Sequence, residues 1–234
     1  MIYVSEDFLR ISKQDYLKCI SLLSEQRLEK MRQYQFETDR KACMGSYLLL
    51  RYGLMQEYGF LQKPELQIGD GEGKPKLRQA RGVFFNLSHC CDAVACAIDR
   101  NEVGLDVQSI EEYSDTLGEN TMTCFEREQI TCAASPDRRF TQLWTLKEAF
   151  GKYKGEGILY DLSATDFSAF HLGWTSSNGL EFYLNLETKY AIAFCGERRL
   201  EIRHVSAKQI IDCFARREIK DTEVYTDGGN KVRP

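Results

Sequence analysis

One aromatic, one acid and one base recur at four-residue spacing in Trp144-Thr145-Leu146-Lys147-Glu148-Ala149-Phe150-Gly151-Lys152. On a helix that spacing puts Trp144, Glu148 and Lys152 on one face, so a buried ring would carry a carboxylate and an ammonium to a cleft. Taken alone, Glu148 and Lys152 equally fit a surface ion pair, which is abundant and contributes little. A second acidic site lies in Val103-Gly104-Leu105-Asp106-Val107-Gln108. Strand alternation sends Asp106 and Gln108 to one face, and Leu105 and Val107 to the other. Two oxygen groups on one face suit a hard cation such as Mg2+, and suit a solvent-facing strand edge as well.

Groups able to hold an anion appear elsewhere. Gly69-Asp70-Gly71-Glu72-Gly73-Lys74-Pro75 is a glycine-rich turn in which backbone can approach a phosphate while Lys74 supplies charge. It lacks the spacing of a nucleotide-binding P-loop, and it also reads as a hairpin turn. Val83-Phe84-Phe85-Asn86-Leu87-Ser88-His89 is a strand ending in a hydroxyl and an imidazole. A lone histidine there serves structure as readily as binding. Glu25 to Arg32 carries Arg27, Lys30 and Arg32, either a phosphate-reaching fringe or a solvated helix face of mixed sign.

The elements that must position these groups follow from periodicity. Ile2 to Val4 starts a strand, and Lys13 to Arg32 is helical, with Ser24 an internal cap between two pieces. Asp39 is read as the cap of a long helix, Arg40 to Tyr58, within which Arg51 falls among apolar residues as a structural ion-pair partner. Leu66 to Ile68 and Ala93 to Ile98 read as strands. Ser114 to Glu126 is loosely helical, and a further helix from Phe125 ends near Pro136. The helix through Trp144 should stop at Gly155, where a left-handed cap fits. Phe167 to Leu172, Leu180 to Leu186 and Tyr190 to Cys195 read as an antiparallel ribbon. The small-then-bulky texture of Tyr190 to Cys195 echoes Ala93 to Ile98 and hints at two similar halves.

Bulk properties narrow the function. A chain of 234 residues that is 43% apolar can bury a core, which excludes disorder as a whole. A net charge of −4 excludes a general nucleic-acid or membrane-surface binder, so any bound anion must be held by a local cluster. The nine cysteines form no regular framework and the start of the chain has no secretion-signal profile, so reduced thiols and a cytoplasmic location are expected. No cysteine or histidine spacing suits zinc, and no apolar run approaches a membrane span.

Taken in order, Gly71-Glu72-Gly73-Lys74-Pro75, Phe85-Asn86-Leu87-Ser88-His89, Val103 to Gln108, and Trp144 to Phe150 with Lys152 and Gly155-Glu156-Gly157 resemble the 4'-phosphopantetheinyl transferases of the surfactin-synthetase-activating (Sfp) type. The resemblance implies an α+β fold of two similar halves about a pseudo-twofold axis, with coenzyme A in the cleft between them. The halves would be 1–103 and 104–219, with a disordered tail over 220–234, in a monomeric chain. The implied reaction moves 4'-phosphopantetheine from coenzyme A to a serine of an acyl carrier protein or peptidyl carrier protein. The resemblance assigns Mg2+ to Asp106, Glu148 and Gln108, and catalysis to Glu148, Lys152 and Asp106. It assigns the coenzyme to Lys74, Ser88, His89, Arg27, Lys30 and Lys152, with Lys74 near the adenine and His89 on the 3'-phosphate. Two positions depart from the family pattern. Gln108 stands where many members have a second acid, so weaker metal binding is expected. Ala42 stands where many have a basic residue, which Arg40 or Lys41 would replace. Gln108 also motivates an alternative, a non-catalytic module binding coenzyme A or a carrier protein.

Overall fold

The computed structural model describes residues 1–67, 74–155 and 161–215. Strand β1 (Ile2–Ser5) is followed by helices α1 (Lys13–Ser21), α2 (Glu25–Arg32) and α3 (Glu37–Tyr58), then the short pair β2 (Leu66–Gln67) and β3 (Lys76–Leu77), then the hairpin β4 (Phe84–His89) and β5 (Val94–Asp99). The same order repeats. Strand β6 (Val103–Ser109) leads to α4 (Asp115–Thr121), α5 (Cys124–Thr131) and α6 (Pro136–Lys154), and then to β7 (Gly173–Ser177), β8 (Leu180–Leu186) and β9 (Tyr190–Gly196). Strand β10 (Ile202–His204) and a helix over 207–215, α7, complete the described chain. A strand, three helices and a hairpin thus occur twice, which is the pseudo-twofold α+β duplication that the resemblance implies.

Two four-stranded sheets form, in the orders β10-β1-β5-β4 and β6-β9-β8-β7, the first completed by β10 from the end of the chain. Strands β5 and β9, the two segments whose texture matched in sequence, are each an inner strand of their sheet. Alternation then sets the layers. Val94, Cys96 and Ile98 of β5 face the core under α3, while Ala93, Ala95 and Ala97 face the other sheet. Val103, Leu105 and Val107 of β6 and Ile192 and Phe194 of β9 close that inter-sheet core. Ala193 and Cys195 of β9 point to α6 instead. The long helices therefore lie outermost and the sheets pack back to back, with small alanines permitting the close approach. Each fully buried large side chain in these cores contributes about 1.5–3 kcal/mol relative to exposure.

Several sequence expectations need correction. The cap of α3 is Phe36, without a side-chain bond, and not Asp39, which lies inside the first turn. Phe167 to Leu172 is not a strand: Phe167 and Phe170 turn inward and pack edge-on with Phe182, and the ribbon begins only at Gly173. Aromatic richness there reflected a cluster rather than a pleat. The end of the described chain packs back against the first sheet. Strand β10 pairs in parallel with β1, aligning Ile2 with Ile202, and Val205, Ile210, Ile211 and Phe214 join the core under α3. Arg51 donates to the Leu22 carbonyl at 2.9 Å and lies 4.3 Å from the Phe214 ring centroid. The expected tail, 220–234, and the glycine-rich turn, 68–73, lie outside the described residues. Ser24 does cap α2, accepting from the Arg27 amide at 3.3 Å, a contact of about 1 kcal/mol.

Candidate functional site

Because Val103, Leu105 and Val107 fill the inter-sheet core, Gly104 and Asp106 must face α6. Gly104 makes the approach possible. A Cβ there would fall 1.9 Å from the Ala149 carbonyl oxygen and 2.5 Å from the Tyr153 amide nitrogen. The strand therefore lies directly on the helix, between the turns that carry Glu148 and Lys152. The helix ends where the sequence requires, on Gly155 at φ 74°.

Asp106 is 4% exposed. Its Oδ1 accepts from Lys152 Nζ at 2.5 Å and from Ser88 Oγ at 2.8 Å. Its Oδ2 is buried and has no hydrogen-bond partner among the described residues. Glu148 stands close enough to be repelled by it. Burial first, and then the Asp106 charge, raise the Glu148 pKa above the usual carboxylate range, while Lys152 pulls it down. Two carboxylates against one ammonium leave a net negative charge facing a buried oxygen without a donor, and a hard divalent cation suits that donor set. Among the described residues no group of three or more His, Cys, Asp or Glu side chains is arranged to hold a metal. Gln108 donates its amide Nε2 to Glu111 Oε1 at 2.9 Å.

The expected anion-holding residues divide. Arg27, Lys30 and His89 line one cavity of about 260 Å3, together with Tyr34, Pro75 and Leu87. Arg27 is buried, with Nε and Nη2 both donating to the Cys43 carbonyl at 3.0 and 2.6 Å, which fixes the guanidinium at the cavity wall. His89 lies open to solvent at one edge and packed at the other. Burial, then the nearby charges of Arg27 and Lys152, hold its pKa below the ordinary value. Lys74 is not part of this cavity. Its Nζ pairs with Glu102 at 2.7 Å and donates to the Val103 carbonyl, tying the residues just before β3 to the start of β6. Arg40 donates to the Tyr34 carbonyl at 2.9 Å and Lys41 pairs with Glu37 at 2.9 Å, and neither lines the cavity. Along β4, Leu87 and His89 face the cavity while Ser88 faces Asp106, so the cationic cavity and the carboxylate pair adjoin through consecutive residues.

Sequence reasoning missed Lys147 and Glu126. Both side chains are fully buried and pair at 2.8 Å. A signal was present: Thr123-Cys124-Phe125-Glu126 has capping-box spacing, and Lys147 follows Phe140 and Leu143 on the apolar stripe of α6. A lysine on an apolar stripe requires a buried partner.

Comparisons with known proteins bear on the whole arrangement. Residues 10–101 match the family profile "4'-phosphopantetheinyl transferase, N-terminal", and residues 102–208 match that of the "4'-phosphopantetheinyl transferase superfamily". The chain is 31% identical over 133 residues to the 4'-phosphopantetheinyl transferase psf-1 of Bacillus pumilus, covering 56% of this chain and 57% of that one. It is 24% identical over 157 residues to the 4'-phosphopantetheinyl transferase Sfp of Bacillus subtilis strain 168, covering 66% and 70%. It is 28% identical over 186 residues to the L-aminoadipate-semialdehyde dehydrogenase-phosphopantetheinyl transferase of Saccharomyces cerevisiae, covering 72% and 66%. The matched segment therefore spans little more than half the length of the first of these relatives and about two thirds of the others.

Proposed function

The chain belongs to the 4'-phosphopantetheinyl transferase superfamily, and we propose that it transfers 4'-phosphopantetheine from coenzyme A to a serine of an acyl or peptidyl carrier protein. In this reaction the serine oxygen bonds to the phosphorus that bears pantetheine, the diphosphate bridge breaks, and adenosine 3',5'-bisphosphate leaves. The observation that carries the reading is the convergence of Asp106 and Glu148 with Asp106 Oδ2 left without a donor. Those two side chains, with the Gln108 oxygen, would hold Mg2+, which when bound supplies charge neutralisation and Lewis acidity at the diphosphate.

The chain's own groups do the rest. Lys152 donates toward the phosphate or the departing oxygen from the position where it now meets Asp106. Glu148, a carboxylate with raised proton affinity, takes the proton of the incoming serine. Arg27, Lys30 and His89 give the adjoining cavity the positive charge that the coenzyme's 3'-phosphate needs. Both halves contribute to these groups within one chain, which supports action as a monomer. No helix among the described residues is long and apolar enough to cross a membrane.

The test is direct. The protein is incubated with coenzyme A, Mg2+ and a panel of apo carrier proteins, and each carrier is weighed. A phosphopantetheine adduct on at least one carrier, lost with Asp106→Asn, is the expected result. A folded protein that modifies none of them, yet binds coenzyme A by calorimetry, would be a binding module and not a transferase.

A further inference from the structure

Strands β4 and β6 lie side by side where the two sheets meet, yet they are neighbours in no hydrogen-bonded ladder. Side chains of β4 take the place of the ladder. Asn86 Oδ1 accepts the Leu105 amide at 3.1 Å, and Ser88 Oγ accepts the Val107 amide at 3.2 Å. Ser88 Oγ also donates its single proton to Asp106 Oδ1 at 2.8 Å and receives Lys152 Nζ at 3.3 Å. A hydroxyl offers one donor and two acceptor positions. All three are occupied before any ligand arrives.

The consequence falls on Asp106. Ser88 and Lys152 both converge on Oδ1, and a carboxylate gripped through one oxygen has the direction of the other fixed. That other oxygen is the buried one without a partner. We propose that Ser88 is a positioning residue for Asp106: it holds the carboxylate through Oδ1, reserves Oδ2 for the cation and seats Lys152 beside it. Its neighbour His89, on the opposite face of β4, is left to meet the anion. The inference rests on the transferase reading above and sharpens its metal site.

Mn2+ serves as the probe, since it prefers the same oxygen ligands and its binding is read by electron paramagnetic resonance without turnover. Ser88→Ala is expected to weaken Mn2+ binding roughly tenfold, the size seen when a group orienting a ligand is removed. In the carrier assay it should lower kcat and leave the KM for coenzyme A unchanged. Ser88→Thr, which keeps the hydroxyl, should restore both. Ser88→Cys keeps the volume and weakens the hydrogen bonds, and gives the same ordering should the alanine variant not fold. His89→Ala should do the reverse, raising the KM for coenzyme A while Mn2+ binding stays as in the wild type. Wild-type Mn2+ affinity in Ser88→Ala, or an effect confined to KM, overturns the positioning role. A wild-type protein that modifies no carrier overturns the transferase reading itself, whatever the Ser88 variants do.

Discussion

Lys147 and Glu126 meet at 2.8 Å with neither side chain reaching solvent. The ammonium also donates to the carbonyls of Leu162 and Thr165, each at 2.6 Å, so all three of its protons are placed. The carboxylate in turn accepts the amides of Thr123 and Phe167, each at 2.8 Å. One pair thereby ties the start of α5, the middle of α6 and the segment before β7 into one unit, with Glu148 the next residue along the helix. Burial lowers the Lys147 pKa and Glu126 opposes it.

Removing one partner strands a charge that cannot reach water. Lys147→Met should therefore cost about 3–5 kcal/mol in urea unfolding, since Glu126 is left buried and unmatched. The double variant Lys147→Met with Glu126→Gln should recover part of that loss. Equal loss in the single and double variants would mean that the pair is not what holds these elements together.

Glu148 makes stability depend on pH. Its folded pKa lies above the ordinary 4.5, raised by burial and then by Asp106 against the pull of Lys152. The folded state thus keeps this proton to higher pH than the unfolded chain does. The contribution is full below the unfolded value and is lost as pH rises through the folded one. In a metal chelator at neutral pH, Glu148→Gln should unfold at a higher temperature than the wild type, and the gap should close in acid. Mg2+ should raise the Tm of the wild type and leave that of Glu148→Gln nearly unmoved.

Gly104 sets the distance between the strand and helix that carry the acids. An added methyl would sit 1.9 Å from a backbone oxygen, and no side-chain rotation relieves that. Gly104→Ala should cost about 1–3 kcal/mol or more, as overpacking does. It should also lower transfer activity beyond what the stability loss explains, because Asp106 and Glu148 are pushed apart. Denaturant unfolding beside the carrier assay checks both.

His89 reports on the cavity. Burial and the charges of Arg27, Lys152 and Lys30 depress its pKa below the ordinary 6.5 in the free protein. A bound phosphate offsets those cations, so adenosine 3',5'-bisphosphate should raise it. Proton NMR titration of the imidazole with and without the nucleotide reads the change directly. An unmoved value would place the phosphate elsewhere.

What the sequence determined by itself was directional. Period two put Asp106 opposite Leu105 and Val107, period near four put Glu148 above Lys152, and Gly155 ended their helix, because each depends only on backbone geometry within one element. Tertiary structure decided partnership. Asp106 and Lys152, 46 residues apart, are joined because Gly104 lets β6 lie on α6. Lys74 sits in a motif that suggested a phosphate, yet its ammonium is taken by Glu102. Ser88 accepts the Val107 amide of β6, and residues 202–214 return to the first half, since β1 offered an open edge that β10 fills. Which donor reaches which acceptor across such separations is settled by how sheets and helices stack, and no local periodicity carries that information.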